Sequence, residues 1–69
     1  MLFIAEVCYG DWHGRLHLEW GGNGNSNAEF VRTMKLVEEE IGPNATSLDV
    51  FIGGVRRAFL KAGFVAIRR

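Results

Sequence analysis

The sequence predicts a small α+β domain with the element order β-β-α-α-β, in which a three-stranded sheet carries two helices on one face. Residues 15–20 alternate polar and apolar side chains, as expected of a strand with one buried face. They follow the apolar run 2–9 across a short polar link, which is typical of a β-hairpin. Two apolar stripes with helical spacing come next. The 69 residues are enough for a single domain spanning 1–69.

Burial of one sheet face selects the hairpin register. A four-residue loop pairs Tyr9 with Leu16 and Cys8 with His17, and it gathers the apolar side chains on one face, whereas a five-residue loop mixes polar and apolar side chains on both. The predicted inner face consists of Phe3, Ala5, Val7, Tyr9, Leu16, Leu18 and Trp20. Since the first strand is apolar on nearly both faces, we expect it at the centre of the sheet, between the second strand and the C-terminal one.

The first helix is predicted from a capping pattern of Ser26 with Glu29, and Gly42-Pro43 should end it. Its apolar stripe is Phe30, Met34, Val37 and Ile41.

The second helix should begin near a capping pattern of Thr46 with Asp49 and end at Gly63. Its stripe is Leu48, Phe51, Ile52, Val55, Phe59 and Ala62. Gly53-Gly54 lies inside that stripe, so a short strand at 50–52 followed by a shorter helix is the alternative. The unbroken helical spacing favours one helix, and residues 64–67 then form the last strand.

Composition excludes several classes of protein. An apolar fraction of 48% with 23% charged residues excludes a disordered tail. No apolar run approaches the length of a membrane span. Met1 leads directly into a strand, so we expect no signal peptide. The single cysteine cannot form an internal disulfide, which fits a reducing cytoplasm, and no metal or small-molecule cofactor is predicted.

The second face of the sheet has no segment left to cover it. Its predicted side chains are Leu2, Ile4, Glu6, Cys8, Arg15, His17 and Glu19, with Val65 or Ile67 beside them. Leu2, Ile4 and an aliphatic side chain of the third strand should form an apolar patch rimmed by charge, which is typical of a protein interface or a homodimer seam. An ordinary half-exposed sheet face is the alternative.

Other residues suggest further sites. Trp12, at the hairpin tip, either anchors a partner or folds back over the hairpin. The sequence from residue 50 onward is basic, whereas the middle of the chain contains the acidic run 38–40. The basic residues either form an ordinary solvated helix face and a charged C-terminus or dock an anionic partner; they are Arg56, Arg57, Lys61, Arg68 and Arg69. Cys8 beside His17 could form a nucleophilic dyad or part of a zinc site, but an open sheet face offers neither a pocket nor an oxyanion hole.

The sequence therefore favours a small protein-binding module without enzymatic activity, acting on a protein partner or as a homodimer. Chains of this size without motifs are typical of accessory or phage-type inhibitors of a larger host complex, such as a defence nucleoprotein complex. Nucleic-acid binding through the basic C-terminal segment ranks second, because net charge is zero. A small enzyme or metal site at Cys8 and His17 ranks third. The predicted partner-binding residues are Leu2, Ile4, Trp12, His17, Glu19, Arg56, Arg57 and Lys61.

Overall fold

A computed structural model describes residues 1–67 and confirms the α+β class. Its strands are β1 (Leu2–Tyr9), β2 (Trp12–Trp20) and β3 (Phe64–Ala66). The first helical arm consists of α1 (Ser26–Leu36), a π-helical segment (Val37–Ile41) and α2 (Gly42–Asn44), and the second is α3 (Leu48–Ala62). The core lies between the helices and one face of the antiparallel sheet.

The strand order is β1-β2-β3, so the predicted central position of β1 is wrong. β3 leaves α3 at Gly63 and pairs with the end of β2, where the Gly21 amide donates to the Gly63 carbonyl at 2.9 Å. The rings of Trp20 and Phe64 meet edge to face there, with centroids 4.8 Å apart. These contacts place β2 at the centre and leave β1 as an edge strand.

The hairpin turn is shorter than predicted. Tyr9 pairs with Trp12 and Cys8 with His13, so the loop is the two residues Gly10-Asp11. Gly10 has φ of +59°, and a positive φ at the first central position only is the pattern of a II′ turn. The predicted four-residue loop is therefore wrong, and the predicted pairing is shifted by four positions along β2, since Tyr9 lies opposite Trp12 rather than Leu16. Because four is even, every side chain keeps its predicted face.

Both helical arms differ from prediction near their ends. Asn25, rather than Ser26, caps α1 by accepting from the Ala28 amide, and Ser47, rather than Thr46, caps α3. The first arm also continues through Gly42-Pro43 to Asn44, so the predicted stop is wrong.

A widened turn lets the helical path continue to Pro43. A proline ring clashes with the carbonyl four residues earlier, and the missing amide cannot bond to it. The Gly42 amide instead donates to the carbonyl of Val37, five residues back, which relieves this crowding. The result is a π-helical segment directly before the proline.

The continuous α3 helix through Gly53-Gly54 is confirmed. A Cβ at Gly54 would lie only 3.0 Å from the Ile41 side chain, so Gly54 allows close packing of the two helical arms. The buried side chains of α3 are Phe51, Val55 and Phe59, which meet Ala5, Val7, Leu16 and Leu18 of the sheet.

Replacing Gly63 tests the junction between α3 and β3. Gly63 has φ of +121°, and a Cβ there would lie 3.0 Å from the Trp20 ring. Gly63→Ala should therefore lower the free energy of unfolding by about 2 kcal/mol or more, measured by chemical denaturation. The matched control is Gly53→Ala, where a Cβ meets only the end of the flexible Arg57 side chain. It should stabilise the helix by about 0.5–1 kcal/mol, and equal effects at both glycines would contradict this account.

Candidate functional site

The face of the sheet that points away from the helices is called here the open face. In its first row, Leu2 of β1 lies opposite Glu19 of β2, which lies opposite Val65 of β3. The next row begins with Ile4 opposite His17. There the Ile67 amide donates to the His17 carbonyl at 2.7 Å, which extends the pairing of β3 by one residue.

The apolar side chains of the open face are consequently divided. Leu2 and Ile4 are 59% and 47% exposed on one edge strand, and Val65 is 54% exposed on the other. The strands at the two edges are about 9–10 Å apart, and β2 lies between them with its polar side chains. The predicted continuous patch is therefore wrong, because it depended on β1 lying next to β3. The open face has two apolar flanks around the polar pair His17 and Glu19.

The end of the open face near the hairpin turn is polar. The Arg15 Nε lies 3.3 Å from a carboxylate oxygen of Glu6, and both side chains are largely exposed. Cys8 lies opposite His13, and a shallow depression of about 530 Å³ includes both residues. His17 is four positions further along β2 than His13, roughly 13 Å away. The predicted Cys8–His17 neighbourhood is therefore wrong, and with it the dyad built from these two residues.

Trp12 takes the folded-back position. Its indole lies over Gly14, where a Cβ would be 2.1 Å from the ring, and it packs against the core. Trp12 is on the helix-facing side of the sheet, so it is separate from Leu2 and Ile4. Its part in partner binding stays a prediction.

Arg56, Arg57 and Lys61 are exposed on α3, in the helical layer. Within residues 1–67, the ion pairs are Glu6 with Arg15 and Glu29 with Arg32, so these three cations have no carboxylate partner there. Arg68 and Arg69, which the sequence adds to the basic group, lie outside the described residues.

A groove along β1 was not predicted from the sequence. It has a volume of about 400 Å³ and is bounded on one side by β1 and on the other by the first helical arm. Its lining residues are Glu6, Val7, Cys8, Tyr9, Gly10, Met34, Val37, Glu38, Gly42, Pro43 and Phe51. The signal that could have indicated it is the Gly42-Pro43 pair, which widens the helix where it faces the strand.

Comparison of the chain with protein-family models, with curated proteins and with solved structures gives no match. Function is therefore inferred from the surfaces described above. In the part of the chain that the structure describes, no helix has the length and apolar character needed to cross a membrane.

Removing the thiol tests the chemical interpretation of Cys8. The side chain is exposed, so Cys8→Ala should change the free energy of unfolding by no more than about 0.5 kcal/mol. Binding to a partner should be unchanged as well, when wild type and Cys8→Ala are compared by capture from a lysate of the native host. Loss of function in a variant that is fully folded, or stoichiometric zinc in the purified wild type, would instead favour an enzyme or metal site.

Proposed function

We propose that this protein is a binding module that acts by association with another protein, using the open face of its sheet. The supporting observation is that large apolar side chains of both edge strands stand exposed on a face that no element of residues 1–67 covers. Complete burial of a fully exposed Leu or Ile side chain contributes about 1.5–3 kcal/mol. Leu2, Ile4 and Val65 are about half exposed, so covering them in a complex contributes roughly half of that for each side chain.

The polar centre of the open face adds specificity to this surface. His17 and Glu19 lie between the apolar flanks on a strand that is hydrogen-bonded on both sides, so their backbone positions are fixed. A partner that buries them must supply matching hydrogen-bond groups, because an unsatisfied buried polar group is costly. An arrangement of apolar flanks and a polar centre is thus selective for a complementary surface.

Within this class, we propose the role of an accessory protein or inhibitor of a larger host complex, including a defence nucleoprotein complex. A module of this size that offers a binding surface can act by occupying a site on its partner. The single cysteine supports a reducing compartment such as the cytoplasm.

Substitution of Ile4 tests the open face. Ile4→Asp places a charge in the apolar flank and should abolish association while the protein stays folded, since Ile4 is half exposed. Capture from a lysate of the native host, quantified by mass spectrometry, measures association, and circular dichroism checks the fold. The matched control is Val31→Asp on α1, where the side chain is 59% exposed away from the sheet. Equal capture by wild type, Ile4→Asp and Val31→Asp would overturn the proposal.

The alternative function is binding of nucleic acid by α3. It is favoured by the absence of carboxylate partners for Arg56, Arg57 and Lys61 within residues 1–67. The double variant Arg57→Glu, Lys61→Glu reverses two charges that share one helix face. We expect wild type and this variant alike to bind random-sequence DNA and RNA weakly in fluorescence-anisotropy titrations. Tight binding by wild type that falls steeply with salt and is lost in the variant would favour the alternative.

A further inference from the structure

The outer edge of β1 has unpaired backbone groups. The Trp20 amide donates to the Met1 carbonyl, so the pair of residues 1 and 20 is hydrogen-bonded. In an antiparallel ladder such pairs alternate with pairs that are not hydrogen-bonded, whose backbone groups point outward. The residues of β1 with outward amide and carbonyl groups are therefore Leu2, Ile4, Glu6 and Cys8. All four residues are exposed, and within residues 1–67 no other backbone pairs with them.

This edge lacks the usual protection against strand addition. Proteins protect edge strands with prolines, lysines, bulges or short length. β1 is eight residues long, contains neither proline nor lysine, and pairs with β2 in continuous register without a bulge. Glu6 is its one charged residue. The edge is therefore a ready template for another extended chain.

The groove described above runs beside this edge. Four consecutive residues of β1, from Glu6 to Tyr9, line its strand side together with the turn residue Gly10, so it follows the strand for about 13 Å. Met34 and Val37 of the first helical arm line the opposite side together with Pro43. An extended segment paired with β1 would direct every second side chain into this groove and the others toward the open face.

The charges around the groove indicate the chemistry of the segment. Glu6 and Glu38 line it, and Lys and Arg are absent from its described lining. The Glu6 side chain points to the open face, where it pairs with Arg15, so Glu38 is the carboxylate available to side chains inside the groove. β1 contains no basic residue, so a second copy that paired its own β1 here would bring no cation to Glu38. A segment with basic residues complements the groove.

We propose that the outer edge of β1 binds an extended peptide segment with alternating basic and apolar residues, by strand addition along the groove beside Glu38. The basic side chains enter the groove, where their aliphatic stems contact Met34 and their charged ends lie near Glu38. The apolar side chains of the segment point to the opposite side, toward the open face. This proposal depends on the backbone edge of β1 and on Glu38, whereas the open-face proposal depends on the side chains of Leu2, Ile4 and Val65. The variants below therefore leave Ile4 unchanged and alter either an outward amide or the charge of Glu38.

The probe is a synthetic hexapeptide of three Lys-Val repeats with blocked ends. Titration followed by amide hydrogen exchange in NMR reports on the edge directly. The outward amides of Ile4, Glu6 and Cys8 should exchange rapidly in the free protein and become protected when the peptide is added. Two control peptides are a Glu-Val hexapeptide, which has the opposite charge, and a Lys-Val hexapeptide N-methylated at every residue, which has no backbone amide on either edge to donate to β1. Neither should protect these amides.

Two variants test the edge and its charge separately. Cys8→Pro removes one outward amide without touching the ladder to β2, and it should weaken binding by about tenfold or more. Cys8→Ala is its matched control, since it keeps the amide and should bind like wild type. Glu38→Lys should weaken binding of the Lys-Val peptide and strengthen binding of the Glu-Val peptide. The exchange measurement on wild type decides the matter if Cys8→Pro fails to fold.

Three results would overturn the proposal. The first is equal binding of the N-methylated and unmodified peptides, which would indicate charge attraction without strand pairing. The second is protection of the outward amides in the free protein together with a dimeric mass by light scattering, which would make a second copy the occupant. The third is no protection of these amides at millimolar peptide.

Discussion

The side chain of Phe64 connects the sheet to both helical arms, and the rest of the fold depends on its burial. Its side chain is fully buried and contacts the rings of Phe3, Trp20, Phe30 and Phe59 with centroids 4.8–6.0 Å apart. These rings come from the other two strands and from both helical arms. Aromatic pairs contribute about 0.5–1.5 kcal/mol each beyond the area they bury, so this cluster is a large share of the stability of a small domain. The three-residue strand β3 is held by this cluster as much as by its ladder.

The hairpin shows which part of a fold an alternating pattern can determine. The pattern assigned Phe3, Val7 and Leu18 to the inner face correctly, because an odd shift of register would have exposed them. An even shift leaves every side chain on its face, so the pattern could not separate a four-residue loop from a two-residue one. Turn chemistry made that choice through the positive φ of Gly10. Cys8 therefore lies opposite His13 rather than His17, and the predicted chemical pair was lost with the register.

The polar and apolar pattern also could not predict the strand order, for a different physical reason. The apolar character of β1 indicated a central strand, but it does not distinguish a strand covered on both faces from an edge strand whose apolar side chains are exposed. The deciding contacts are between Trp20, Phe64 and the glycine at the end of α3, and they involve residues more than forty positions apart. The helices were more predictable, since their apolar stripes and glycine cap are local signals. Only their first residues and the path through Pro43 differed.

The position of β1 at an edge changes the meaning of its composition. A central strand needs apolar side chains on both faces because both are covered, whereas here Leu2 and Ile4 are exposed and the backbone beside them is unpaired. Such an edge carries a risk of aggregation unless something occupies it or shields it. The helical arm shields it partly, since the π-helical segment before Pro43 borders the strand and leaves a groove between them. In the proposed strand addition, the groove and Glu38 beside it restrict which chains can pair with the edge. Under the proposals made above, the exposed edge is a selective surface, and association rather than the core accounts for its apolar side chains.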